Sequence, residues 1–327
     1  MSHREASYVL PLYATQPRRT ERFIDYLGYL SKTLEVIVVD NSPDDVFQAH
    51  ASSWGRDISH LRPDPRFDFA YRKVTNVTTG VVAATFDKVI VADDDVVYGD
   101  VQIDDLLRRL DSADLVIPQN YFEPLPWHAR WDSARSLLNR AVWIDFPGTL
   151  GLRRSRFVTM GGYDGDLLFE NLELIRTVTA SGGRVEEAVD LFVSRLPPDA
   201  RHFWSQRVRQ AYDDFALPAR MALWLSLAPL AAVSAARRRR GLLVLAAAAA
   251  VAVAEKGRRR AGANAYFPPS VSLFAPLWLG ERAITAWLAL GARFFLGGVP
   301  YAGAVLSRSA TPMAELRSRF EEGRPAL

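Results

Sequence analysis

Two short runs, LEVIVVD at 34–40 and KVIVADDD at 88–95, constrain this chain more than any other feature. Each is continuously apolar and ends in aspartate. A strand buried on both faces reads this way, because it offers no solvent-facing position to a polar residue. Such strands belong to parallel sheets covered by helices, which is an α/β architecture. In that architecture ligands gather outside the carboxyl ends of the strands. Asp40 and the triplet Asp93, Asp94, Asp95 both fall there.

The surrounding pattern agrees. SYVLPLYA (7–14) reads as a first strand and ERFIDYLGYLSK as the helix after it. Residues 68–87 carry small and polar residues into a second helix; a helix at 102–110 and the strand DLVIPQ follow. The chain has no cysteine, which removes disulfides, thiolate metal sites and cysteine nucleophiles. MSHREASYVLPLY is polar first, without the apolar core of a signal peptide, so residues 1–216 are expected to form a domain in the cytoplasm.

After Pro218 the character changes. Residues 217–327 carry fifteen Lys and Arg against five Asp and Glu, a net of +10, which leaves −7 for residues 1–216. RRRR (237–240) and KGRRR (256–260) flank apolar runs rich in Ala, Leu and Val. Anionic lipid head groups fit that pairing better than nucleic acid does. The apolar stretches at 221–236 and 241–254 fall short of the roughly 20 residues a span needs, and 271–306 is interrupted by Glu281, Arg282 and Arg293. Residues 217–327 are therefore read as a helical, membrane-associated region with an anionic membrane surface as partner. The number of crossings stays open, and a soluble helical subdomain is the alternative.

Three adjacent carboxylates repel one another and need a compensating charge. An Asp-x-Asp at a strand end suits a hard divalent cation, Mg²⁺ or Mn²⁺, shared with substrate phosphates. A solvated acidic turn is the bland alternative. An EF-hand loop is excluded, because its central Gly and twelfth-position Glu are absent.

Other segments recur in a telling order: VIVVDNS (36–42), RKVTNVTTG (72–80), the triplet, GTLGLRRSRFVTMGGYDGDLLFENLELIRTVTASGG (148–183) and FWSQRVRQAY (203–212). This order resembles family 2 of the glycosyltransferases, which have the nucleotide-diphospho-sugar fold called GT-A. The likeness covers about residues 7–215. It implies a GT-A domain with a Rossmann-like, mostly parallel sheet. By that resemblance Pro11, Tyr13, Asp40 and Asn76 contact the nucleotide. Asp93 and Asp95 hold the metal, and Asp94 joins the nucleotide-sugar contacts. Gly148, Thr149, Gly161, Gly162 and Asp164 lie on the acceptor side. FENLEL stands where the family has Glu-Asp, leaving Glu170 and Glu173 as candidate bases, Glu170 favoured. SQRVRQ approximates the family's Gln-x-x-Arg-Trp, placing Gln206, Arg207 and Arg209 with the donor, although Gln210 replaces Trp.

Each residue also has a plainer role: Asp40 as a helix N-cap, Asn76 as a turn residue, Arg207 and Arg209 as a solvated face. The implied reaction is inverting transfer of a sugar from a nucleotide-diphospho-sugar to a hydroxyl, with a lipid or lipid-linked glycan as acceptor. A haloacid-dehalogenase-type phosphatase is a rival, since VIVADDDVV fits its Asp-x-Asp-x-Val signature. Against it, no Lys occurs between Lys88 and Lys256 to steady a phosphoryl group. A second rival is a catalytically silent, membrane-tethered sugar-nucleotide-binding module.

Overall fold

The computed structural model describes residues 3–17, 20–301 and 304–323. By internal contacts the chain forms two units that do not follow chain order. The first gathers residues 1–118, 147–188 and 311–327, and the second gathers 119–146 and 189–310.

In the first unit, β1 (Ala6–Leu12), β2 (Glu35–Asp40), β3 (Ile58–Leu61) and β4 (Lys88–Ala92) pair in parallel in the order β3-β2-β1-β4. Helices α1 (Glu21–Ser31), α2 (Asp44–Ala51) and α3 (Arg72–Ala83) connect them. Every residue of β1 is buried, as are the last five of β2 and the last four of β4. The continuous apolar runs thus mark central strands, with bounds close to those expected.

The sheet is completed by β5 (Val96–Val97), β6 (Leu115–Phe122), β7 (Thr149–Arg153) and β8 (Val185–Arg195), giving eight strands ordered β3-β2-β1-β4-β7-β6-β8-β5. Helices α4 (Asp100–Arg109), α6 (Arg154–Thr159) and α7 (Glu170–Ala180) lie between these strands in the chain, and α5 (Trp127–Val142) belongs to the second unit. β7 runs antiparallel to β4 and β6, so it is reversed within a mostly parallel sheet. Most of GTLGLRRS is therefore strand. Gly151 allows it, since a Cβ there would come within 2.8 Å of the Leu106 side chain of α4.

The second unit is helical: α8 (Ala200–Ser205), α9 (Arg207–Tyr212), α10 (Pro218–Ala236), α11 (Arg240–Arg259), α12 (Pro269–Ser272) and α13 (Ala275–Phe295). A small antiparallel pair, β9 (Val299–Tyr301) and β10 (Ala304–Leu306), follows. Ala134, Leu137, Ala254, Phe267 and Trp278 form its core. Among the described residues, α10 is the one helix long and apolar enough to cross a membrane. The chain then returns to the first unit, where α14 (Met313–Glu321) packs on α7.

Candidate active site

Helix α3 positions much of the site. Gly80 lets it lie close on the sheet: a Cβ there would stand 2.4 Å from Val9 Cγ1. Three residues apart from Asn76 in RKVTNVTTG is Lys73, one turn nearer the helix start. Asn76 itself is buried and structural. Its Nδ2 donates to Leu12 O at 3.0 Å and Val39 O at 3.2 Å, tying together the ends of β1 and β2.

Asp40 closes β2 and is fully buried. Its Oδ1 accepts from Ser42 N at 2.9 Å, and its Oδ2 meets His50 Nδ1 at 2.7 Å and His60 Nε2 at 3.1 Å. Burial pushes this carboxyl up, but hydrogen bonds from His60, Ser42 and His50 outweigh it and hold it well below the usual carboxylate range. Ser42 Oγ in turn accepts from Ala14 N at 2.8 Å. Asp40 thus fixes the loops after β1 and β2. Pro11 is buried within β1, and Tyr13, just beyond it, is 52% exposed.

The triplet Asp93–Asp95 follows β4 directly, all three partly exposed. Asp93 N donates to Gly148 O at 2.9 Å, which joins the triplet to the start of β7. Thr149 Oγ1 donates to Val91 O at 2.7 Å. Part of the compensating charge is in the chain itself. Lys73 Nζ lies 2.7 Å from Asp93 Oδ1 and 2.7 Å from Glu170 Oε1. Burial pulls the Lys73 ammonium down, but the Asp93 and Glu170 carboxylates hold it well above its ordinary value. Lys73, Val77, Thr149, Tyr163, Glu170 and Asn171 line a small cleft between these groups.

Helix α7 separates the two candidate bases. Glu170, in its first turn, reaches the cleft and Lys73. Glu173 is fully buried, and its Oε2 accepts from Thr311 N at 2.7 Å. Burial pushes its carboxyl up, against the lowering effect of that bond. Asn171 Nδ2 donates to Pro147 O at 3.1 Å. Gly161 and Gly162 close α6 at φ 77° and 76°, a left-handed conformation that glycine adopts without strain. Asp164 Oδ1 accepts from Asp166 N at 2.8 Å.

Gln206, Arg207 and Arg209 belong to the second unit. Arg207 is buried there, 3.1 Å from Asp132 and 4.1 Å over the Phe203 ring. Arg209 Nε donates to Gln206 Oε1 at 2.5 Å. The residue that sequence reasoning missed is Lys73. Its signal was the unanswered charge of the triplet beside the Arg72–Lys73 pair that opens an otherwise small-residue helix.

The donor set at the triplet is hard carboxylate oxygen, which fits Mg²⁺ or Mn²⁺. The same cannot be said of Asp40, whose oxygens already accept three hydrogen bonds.

No protein-family model matches the sequence, and no curated protein matches it either. Among solved structures, the mannosyltransferase PcManGT from Pyrobaculum calidifontis, in complex with GDP-Man and Mn²⁺, aligns over 87% of each chain at 18% identity with a TM-score of 0.52. Glucosyl-3-phosphoglycerate synthase from Mycobacterium tuberculosis aligns over 63% of this chain and 76% of its own, at 18% identity and a TM-score of 0.43. Mannosyl-3-phosphoglycerate synthase from Rubrobacter xylanophilus aligns over 62% and 70%, at 15% identity and 0.44. The likeness to the mannosyltransferase, joined to the sheet order and the carboxylates at the end of β4, gives this chain the GT-A fold.

Proposed function

We propose that this protein is a metal-dependent glycosyltransferase that moves a sugar from a nucleotide-diphospho-sugar to a hydroxyl acceptor with inversion. One observation carries the reading: Asp93, on the metal side, and Glu170, the candidate base, converge on the same ammonium, Lys73. A leaving diphosphate and a deprotonating acceptor need opposite kinds of help, and here both kinds of group share one cleft. The PcManGT complex, with its sugar nucleotide and Mn²⁺, supports the same chemistry.

In this reading Asp93 and Asp95 hold Mg²⁺ or Mn²⁺, and Asp94 lies beside the donor. A bound divalent ion supplies positive charge to the leaving diphosphate. Lys73 adds a second cation at that position and orients Glu170. Glu170 takes the acceptor hydroxyl proton as the oxygen attacks the anomeric carbon. Asn76 and Asp40 hold the loops that border the nucleotide, with Pro11 and Tyr13 alongside. Gly148, Thr149, Gly161, Gly162 and Asp164 border the acceptor. Arg207, engaged with Asp132, supports α9. The acceptor is a lipid or lipid-linked glycan, in keeping with a membrane-attached region over 217–327 and a catalytic unit in the cytoplasm.

The deciding experiment measures transfer and hydrolysis with UDP-, GDP- and dTDP-sugars, with Mn²⁺ or chelator, beside thermal shift. Turnover with one donor, lost with chelator and in Asp95→Asn, is the expected result. Tight donor binding without turnover would instead establish a silent binding module. The phosphatase reading gains nothing from the structure, whose fold is GT-A.

A further inference from the structure

Helix α13 has two faces of opposite chemistry. Glu281 and Arg282, near its middle, are buried against the body of the second unit. Arg282 Nη1 lies 3.2 Å from Asp214 Oδ2, and Glu281 Oε2 lies 3.8 Å from Arg207 Nη1. Trp278, Ala286 and Ala289 are fully buried with them.

The other face is open and wholly apolar. Leu277, Ile284, Trp287, Leu288, Phe294 and Phe295 are all exposed, Phe295 by 89%. At about 100° per residue, positions 277, 284, 288 and 295 fall within about 40° of one another, so they form a row along the helix. Gly280 and Gly291 fill the gaps in that row. Trp287 Nε1, the one polar side-chain atom on this face, already donates to Leu225 O of α10 at 3.1 Å.

A helix with an apolar row on one side and its charges on the other lies in the plane of a head-group layer, sunk to the acyl boundary. Here the protein body takes the place of water on the charged side. Crossing is closed to α13, because its mid-length charges are fixed to that body. The surrounding charge names the surface. Phe215, just before α10, lies under Arg293 at 4.7 Å, and Trp224 of α10 meets Trp278 at 5.5 Å, so α10 and α13 run antiparallel. Exposed Arg293 therefore stands near one end of the row, and α10 continues past the other end to exposed Arg237–Arg240. Anionic lipid phosphates complement those cations, whereas a second copy would set like charge against like. Area also disfavours a second copy. A row of 21 residues is about 30 Å long and a helix about 10 Å wide, giving roughly 300 Å², against about 800 Å² per partner in a stable interface.

We propose that α13 docks in the plane of an anionic lipid bilayer, with its Leu277–Phe295 row at the acyl boundary and the flanking arginines among the lipid phosphates. The proposal rests on the membrane-attachment part of the proposed function and is independent of its chemistry.

The chain has no cysteine, so single introduced thiols can carry an environment-sensitive fluorophore. Ile284→Cys and Leu288→Cys mark the row. Ser205→Cys marks an exposed position of α8, which leads into the helix packed on the buried face of α13. Each labelled full chain is first shown to keep the wild-type Tm in detergent. It is then mixed with vesicles of phosphatidylcholine, with or without phosphatidylglycerol, carrying nitroxides high on the acyl chains or at their ends. We expect binding at least tenfold tighter to the anionic vesicles. Both row positions should brighten there and be quenched more by the high nitroxide than by the deep one, while Ser205→Cys stays unchanged. Ile284→Ser with Leu288→Ser should weaken vesicle binding at least tenfold. Stronger quenching by the deep nitroxide would overturn the in-plane helix. Vesicle binding that leaves both row positions unquenched would overturn the docking face alone. A dimer without vesicles, in which the row fluorophores are already buried, would give the face to a second copy and overturn the proposal. Failure of the full chain to bind either vesicle would overturn attachment as well.

Discussion

Lys73 answers part of the charge problem that the aspartate triplet poses. Removing it leaves Asp93 and Glu170 facing each other, part-buried, without their cation. Lys73→Met should lower stability by about 2–3 kcal/mol, somewhat under the roughly 3–5 kcal/mol for breaking a fully buried pair. Mn²⁺ should then raise the Tm of the variant more than that of the wild type, because the metal supplies the missing charge; equal gains would count against a shared site. The two glutamates should separate sharply. Glu170→Gln should slow transfer about 10²–10⁴-fold with donor binding nearly intact, whereas Glu173→Gln should keep near-normal turnover. Glu173 also yields a pH signature. Its folded-state pKa is raised by burial, so its proton-linked stability is full below the unfolded value and is lost as pH rises through the folded one. Glutamine stays neutral in both states. The Tm of Glu173→Gln relative to wild type should therefore be higher at pH 8 than at pH 4, and a pH-independent difference would exclude this role.

At the scale of elements, the apolar strands were plain in the sequence because burial on both faces leaves no room for polar residues. β2 and β4 appear within a residue of their expected bounds. β7 was hidden, because TLGLR is short and contains a glycine, the mark of a turn as often as of a strand. Only the close approach of Leu106 explains why glycine stands there. A second glycine gives a sharp test. In α11, a Cβ at Gly257 would lie 1.9 Å from Leu137 O of α5, and backbone cannot step aside. Gly257→Ala should lower the melting temperature markedly or abolish folding. Gly241→Ala, with nothing near its Cβ, should be neutral or add up to about 1 kcal/mol by helix propensity. Thermal melts of both variants compare the two directly.

On the scale of the molecule, the first unit needs its last segment. Thr311 N donates to Glu173, and Arg176 Nη1 donates to Thr311 O at 2.9 Å. A chain ending at residue 216 would leave the Glu173 carboxylate buried without that donor. It should melt below the full chain and aggregate more readily, as light scattering during a thermal ramp would show. A chain lacking 218–310 but joined by a flexible linker to 311–327 should recover part of the loss, since it restores both bonds.

Local chemistry determined what this chain could write plainly in order: buried strands, aspartates at their ends, and a basic, apolar second half. Those signals need only a residue and its neighbours, because strand burial and charge clustering are local patterns. Tertiary structure alone decided which carboxylate meets which partner. Glu170 and Glu173 are three apart and look interchangeable in sequence, yet one faces Lys73, 97 positions away, and the other faces Thr311, 138 positions away. Asp40 reads as a ligand-binding strand end, but His50 and His60 fold back to occupy it. Such pairings depend on where distant helices pack, and packing is settled by the shape of the whole core.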